Sequence, residues 1–266
     1  MTPPAGDHYD LIVLGAGSGG YVSAIRAAQL GMNVGIVEER YWGGVCLNTG
    51  CVPSKALLRN AEIASIITDQ SAAFGISGDV SLDYARAVSR SREVAEARVR
   101  GVHFLMRKNN ITEIDGHGRF TSPHSLHIDL REGGRRLLSF DHAVIATGSR
   151  VRMLPGVALS DNIVTYEQQI LSAELPESIV IIGAGGIGME FGYILHSYGV
   201  RGETDSFDVG TKSDADEGPR SLRGGGCSIS AGVADGDVLA VVGDGVHAGG
   251  CVNRYPAAPV VPLKFS

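Results

Sequence analysis

Cys46 and Cys51 stand with four residues between them in GGVCLNTGCVPSK, residues 43–55. Two thiols so close can exchange electrons with a disulfide partner, hold a metal, or lie buried and inert. Zinc sites want two such pairs or a matching pair of histidines. The remaining cysteines, Cys227 and Cys251, are 24 apart in a glycine-rich region and give no partner spacing, so no metal is expected. After the pair, SKALLRNAEIASIIT carries a helical apolar pattern, which sets both thiols near a helix start. A helix N-terminus lowers a thiol pKa and favours thiolate, the form that attacks disulfides.

Thiols that trade electrons need a carrier, and the segment before them supplies a place for one. Tyr9 to Leu14 is a short apolar, β-branched run, GAGSGG follows, and an alanine-rich helical segment runs to Leu30. Gly15, Gly17 and Gly20 form GxGxxG: the first permits the turn, the second lets backbone approach a pyrophosphate, and the third lets helix pack on strand. The helix start then offers free N–H groups to phosphate. Asn33 to Val37 reads as the next strand and ends in Glu38, 18 residues after Gly20, where a carboxylate can accept from a ribose. Glycine-rich turns are common without any ligand, but this strand–turn–helix–strand–acid context selects a dinucleotide. The signal recurs: Ser178 to Ile182 is an apolar strand, and Gly183, Gly185 and Gly188 repeat GxGxxG ahead of a helical segment ending near Gly199. Two such motifs in one chain imply two carriers brought face to face.

The wider chain accommodates this reading. It has 266 residues, 44% hydrophobic and 20% charged, with a formal charge of -6, so neither a nucleic acid nor a membrane surface is expected as partner. No basic n-region precedes the first apolar run, and no stretch is long enough to span a membrane, so a cytoplasmic setting with reduced cysteines is the expectation. Leu82 to Lys108 has long helical character with acids between its seven basic residues. Residues 111–146 break into short strands around a hairpin at Gly133–Gly134, and residues 150–166 read as a crossing into a second domain.

The stretch GGVCLNTGCVPSK closely resembles the redox signature of the flavoprotein disulfide reductases. Its Cys-Leu-Asn lead and Pro-Ser-Lys ending are most similar to the dihydrolipoamide-oxidising branch; glutathione reductases tend to Pro-Lys-Lys, and mercuric reductases often carry valine after the first cysteine. The resemblance runs from about Tyr9 to Val200 and takes in ATGS, Ala146 to Ser149. It implies FAD and NAD as cofactors. It implies Cys46 as the interchange thiol, Cys51 against the flavin, and Lys55 near the flavin ring, paired with Glu190. Gly44, Gly118 (in a GHGRF turn), Thr147, Gly148 and Ser149 would contact the flavin, with Gly183, Gly185 and Gly188 at the second nucleotide. A dithiol would reduce the Cys46–Cys51 disulfide, and electrons would pass through FAD to NAD. The implied partner is the lipoyl-bearing acyltransferase of a 2-oxo acid dehydrogenase complex, and the parent family is homodimeric. Lys55, Glu190 and Gly118 have plainer readings too, as solvated charges and a hairpin glycine.

After Val200 the pattern stops. The family's next strand should follow Gly199 and end in an acid for the NAD ribose, but RGETDSFDVGTKSDADEGPRSLRGGG has no apolar strand, and nothing positions Asp205 or Asp208. The last 66 residues hold 12 of 37 glycines and four of ten prolines, so loop or disorder is expected. AVVGDG, Ala240 to Gly245, looks like the family's later flavin segment but arrives too soon and is read as coincidence. None of the eight histidines precedes proline, as the family's acid/base histidine does. His8, His103, His196 and His247 are therefore read as ordinary residues with no paired acid. The expected fold is α/β: a three-layer Rossmann-like FAD-binding domain over residues 1–150, a partial NAD-binding Rossmann-like domain over 151–200, and an aberrant tail over 201–266, as a truncated and frame-shifted member would have. A non-catalytic FAD-binding module and an inactive fragment stay open beside the oxidoreductase.

Overall fold

A computed structural model describes residues 7–151, 153, 157–205 and 238–242. The first unit is built on β1 (His8–Leu14), flanked in parallel by β2 (Val34–Glu38) and β5 (Arg135–Ile145). β3 (Thr112–Ser122) pairs parallel with β2 through its first residues and antiparallel with β4 (Ser125–Leu130) through the rest, and β4 returns to β5. The strands thus close on themselves, a parallel sheet on one side and an antiparallel meander on the other. α1 (Ser18–Gln29) and α4 (Tyr84–Lys108) cover the outer face of the parallel sheet.

Alternation along β1 assigns the two cores. Leu11 and Val13 pack with Ala24, Ala27, Val102 and Met106 of the helices, whereas Ile12 and Leu14 pack with Leu126, Ile128, Leu138 and Phe140 of the meander. α4 begins where Asp83 accepts the Arg86 N–H at 2.9 Å, an N-cap. The hairpin glycines Gly133 and Gly134 both take positive φ, +95° and +87°.

A second sheet is wholly parallel, in the order β6 (Ile163–Thr165), β9 (Val238–Val242), β7 (Ser178–Ile182), β8 (Arg201–Asp205), and carries α5 (Tyr166–Gln169) and α6 (Gly186–Ser197). α3 (Cys51–Asp69) joins the two units, with Leu57 and Ala61 in one core with Ile170, Ile181, Phe191 and Ile194.

Two expectations are corrected here. A strand does follow Gly199: that glycine turns the chain at φ +90°, Val200 is buried, and Arg201–Asp205 pairs with β7 at the sheet edge, where backbone bonds rather than apolar side chains hold it. Val238–Val242, which takes in the first three residues of AVVGDG, is also a strand, but it joins the second sheet between β6 and β7. The remainder of the 201–266 tail lies outside the described residues. Among the described residues no helix is long and apolar enough to cross a membrane.

Where the units meet, Tyr84 and Gln169 are buried, and the Tyr84 hydroxyl and both amide atoms of Gln169 have no partner among the described residues. Burial pushes the Tyr84 hydroxyl up to about 12; Gln169 lies near enough to oppose this, although no bond of ordinary geometry joins them. Since an unmade buried hydrogen bond costs about 1–3 kcal/mol, Tyr84→Phe is expected to leave stability unchanged or raise it by about 1 kcal/mol at pH 7. The folded phenol keeps its proton where an unfolded one, near 10, loses it, so stability should fall as pH rises from 10 to 12. Urea unfolding at pH 7 and pH 11 checks both points: Tyr84→Phe should lose less stability between the two than the parent chain.

Candidate functional site

The first glycine motif forms a cradle that side chains would fill. Gly15 sits at φ +93°, and a Cβ there would lie 2.2 Å from the Ala146 carbonyl oxygen; a Cβ on Gly20 would lie 1.8 Å from the Gly15 oxygen. Gly17, at the start of α1, faces Gly44 so closely that a Cβ on Gly44, itself at φ +68°, would stand 2.6 Å from the Gly17 Cα. Two backbones therefore meet with no side chain between them, at the mouth of a cleft of about 1270 Å³. That exceeds the roughly 300–1,000 Å³ of drug-sized pockets and suits a longer ligand.

Glu38 lines this cleft, as do Cys46, Gly118, Thr147, Gly148 and Ser149. The Glu38 carboxylate is buried and already occupied: one oxygen accepts from the Ala16 N–H at 2.6 Å, the other from Arg40 N–H at 2.7 Å and Tyr41 N–H at 2.8 Å. Of about four lone-pair sites on a carboxylate, three are filled, which leaves one for a hydroxyl. Gly118 lies within β3 opposite Ile128, so GHGRF is strand and not the expected turn; its Cβ would come to 3.3 Å from Leu126. Sequence reasoning missed Arg40, Tyr41, His117, Arg150 and Glu167, which also line the cleft. Arg40 spans to Glu167 of the second unit at 3.4 Å. His117 holds the Glu39 carboxyl below its usual range across a 2.6 Å contact. The only signal for Arg40 and Tyr41 was their place two and three residues after Glu38.

The thiols fall on two helices. Cys46 is inside α2 (Gly44–Asn48), Cys51 opens α3, and Thr49 and Gly50 break the helix between them. The expectation that a helix start depresses both thiols is thereby corrected for Cys46. Burial, then the adjacent Cys51 thiol, push it up to about 11. Cys51 is exposed, beside the free N–H groups that favour negative charge at the start of a 19-residue helix. One turn along α3, the Lys55 ammonium meets Glu190 of α6 in a short ion pair that links the two units. With Lys55 60% exposed, the pair contributes about 0–1 kcal/mol, so its value lies in placing a charge rather than in stability.

The second glycine motif repeats the first. Gly183 takes φ +113°, a Cβ on Gly188 would lie 2.0 Å from the Gly183 oxygen, and Gly185 faces open space at the start of α6. None of the three borders the first cleft, so the two motifs lie apart. Ile182 pairs with Asp205 as Leu14 pairs with Val37; the position matching Glu38 is thus residue 206, and Asp205 is one short of it. Asp208 lies outside the described residues.

Two of the four histidines read as unpaired, His8 and His103, do have acids beside them, contrary to expectation. His103 meets Glu113 at 2.6 Å, and His8 lies 3.6 Å from Asp141. His8, Asp10 and Asp141 bring possible ligand atoms within 4.8 Å at the surface, at the end of β1 away from the glycine turn. His196 is in the last turn of α6, and His247 lies outside the described residues.

Paired Rossmann-like glycine turns, with a thiol pair on helices between them, place the chain in the α/β class of dinucleotide-type folds. A family model for pyridine nucleotide-disulphide oxidoreductases matches residues 9–208, and the chain belongs to that family. It is similar to the dihydrolipoyl dehydrogenase of Mycobacterium tuberculosis, 65% identical over 193 residues, covering 73% of this chain and 42% of that protein. To the Corynebacterium glutamicum dihydrolipoyl dehydrogenase it is 53% identical over 194 residues, 73% of this chain and 41% of the other. Among solved structures, an HOCl-induced flavoprotein disulfide reductase from Escherichia coli, in a Cu(II) complex, superposes with a TM-score of 0.65 at 25% identity, over 77% of this chain and 43% of that one. The chain therefore spans about two fifths of the length of the curated relatives it matches.

Proposed function

We propose that this chain carries the dithiol-oxidising half of a dihydrolipoyl dehydrogenase, with FAD in the first cleft and NAD at the second glycine turn. The observation that carries the reading is the Gly17–Gly44 cradle opening into a cleft that Cys46 also lines. Gly15, Gly17, Gly20 and Gly44 would hold the flavin nucleotide's pyrophosphate, Glu38 its ribose, and Gly118, Thr147, Gly148 and Ser149 the rest. Gly183, Gly185 and Gly188 would hold the pyridine nucleotide. When bound, the flavin supplies two-electron transfer between the thiols and that nucleotide.

The chain's own residues perform the exchange. A substrate thiolate attacks the Cys46 sulfur, the Cys46–Cys51 bond breaks, and its electron pair leaves on Cys51. The substrate's second thiolate then attacks its own sulfur in the mixed disulfide, releasing Cys46, which takes a proton. The substrate leaves oxidised, and the pair holds two electrons. The burial of Cys46 supports this order, since a thiol pushed up to about 11 makes a poor leaving group. Lys55, fixed by Glu190, stands a turn from Cys51 as a fixed positive charge. The dithiol would be a dihydrolipoyl group, as the relatives' name has it; its proposed bearer is the acyltransferase of a 2-oxo acid dehydrogenase complex, and the proposed assembly a homodimer.

The test is a visible spectrum of the purified chain with FAD, before and after anaerobic dihydrolipoamide. A retained flavin band that gains a long-wavelength shoulder supports the reading. A chain that stays colourless and takes up no FAD refutes it.

A further inference from the structure

The segment between the cysteines fixes how they meet. Asn48 folds back so that its side-chain amide donates to the carbonyls of Trp42 and Gly44, at 2.9 and 2.8 Å, and the Thr49 N–H donates to Val45 at 2.8 Å. Those bonds are local. A charged contact arrives from elsewhere: Arg92, half-buried on α4, donates from Nη1 to the Asn48 carbonyl at 2.6 Å. Asn48 ends α2, where unpaired carbonyls gather the negative end of the helix, so the bond is charge-assisted and well placed. Burial disfavours the Arg92 cation, lowering its pKa, and a long flexible side chain would leave such a place unless the contact held it. The neighbouring Arg90 reaches α3 instead, at Asn60 (3.1 Å) and the Ala56 carbonyl (3.4 Å).

We propose that Arg92 is a positioning residue for the thiol pair: by pinning the Asn48 carbonyl it keeps Cys46 and Cys51 within closing reach of each other in the dithiol state. The inference rests on the reading that the pair cycles between dithiol and disulfide. Without the pin, the dithiol gains freedom that closure must remove, so the effective concentration of one thiol at the other falls and the disulfide becomes easier to reduce. Closure by oxidised glutathione joins the two sulfurs and yields two reduced glutathiones, so its equilibrium measures that effective concentration directly.

The experiment equilibrates the chain in anaerobic glutathione buffers, traps free thiols with maleimide, and reads the peptides of Cys46 and Cys51 apart from those of Cys227 and Cys251. Arg92→Met is expected to shift the midpoint about tenfold toward dithiol, about 30 mV. Arg92→Lys should recover part of the shift, and Arg90→Met should stay within about threefold of the parent. A folded Arg92→Met whose midpoint lies within threefold of the parent overturns the proposal. Should Arg92→Met not fold, Arg92→Gln, which lacks the charge, decides: a shift above threefold toward dithiol supports the proposal, and a smaller one overturns it. A parent chain that forms no Cys46–Cys51 disulfide at any ratio instead defeats the thiol-cycling reading, a result distinct from an unmoved midpoint.

Discussion

Gly20→Ala is expected to abolish flavin uptake, weakening it at least about 100-fold, or ~2.8 kcal/mol. The added Cβ would lie 1.8 Å from the Gly15 oxygen and 2.9 Å from its carbon, and both are backbone atoms with no rotamer to yield. Either α1 lifts from β1 or the turn opens, and each displaces the Gly17 amide from the cradle it shares with Gly44. Overpacking of this kind costs about 1–3 kcal/mol or more, so the unfolding midpoint should fall as well. Gly101→Ala provides the contrast. It lies inside α4 with nothing within 4 Å of its Cβ position, so the helix preference for alanine should raise stability by about 0.5–1 kcal/mol and leave flavin binding alone. Flavin fluorescence titration and urea unfolding of both variants measure these effects. A Gly20→Ala chain that binds FAD within fivefold of the parent would sink the role given to the turn.

What the sequence could reveal depended on whether the physical demand was local. GxGxxG is legible because its three glycines answer contacts within one turn, and both copies adopt the same backbone, with Gly15 and Gly183 at positive φ. β8 was illegible because an edge strand can be held by its pairing with β7, beginning beside the buried Val200, so RGETD carries no hydrophobic signature. Gly118 was misread as a turn residue since a glycine that leaves room for Leu126 on a neighbouring strand looks, in one dimension, like any hairpin glycine. The thiol environment was half legible. The helical pattern of residues 54–68 set both thiols near one helix start and concealed the break at Thr49–Gly50, which gives only Cys51 a long helix at its back. Arg92 and Asn48, 44 residues apart, share no local pattern, and neither do Arg40 and Arg150, which line one cleft only because β2 and β5 flank β1.

Serine at either Cys46 or Cys51 is expected to end disulfide exchange, a loss of at least about 10³-fold in dihydrolipoamide oxidation, since no disulfide remains to be opened. The two variants also separate the thiols. Cys46, at about 11, is ionised to only about one part in 10³ at pH 8, and thiolate is the form that alkylates. Burial is the larger cause and survives in Cys51→Ser, while the contribution of Cys51 itself disappears. Iodoacetamide should therefore modify Cys46 of that variant about tenfold faster per pH unit from 8 upward, bending between the ordinary value of 9.0 and about 11. A profile that levels off by pH 9 would remove the poor leaving-group character of Cys46 on which the order of attack depends. In Cys46→Ser the exposed Cys51 should alkylate readily without flavin and at least tenfold more slowly once FAD is bound, if Cys51 is the thiol that the ring covers. Protection of Cys46 instead, in the converse variant, would exchange the two roles: the thiol lining the cleft would face the flavin, and the one at the head of α3 would meet the substrate.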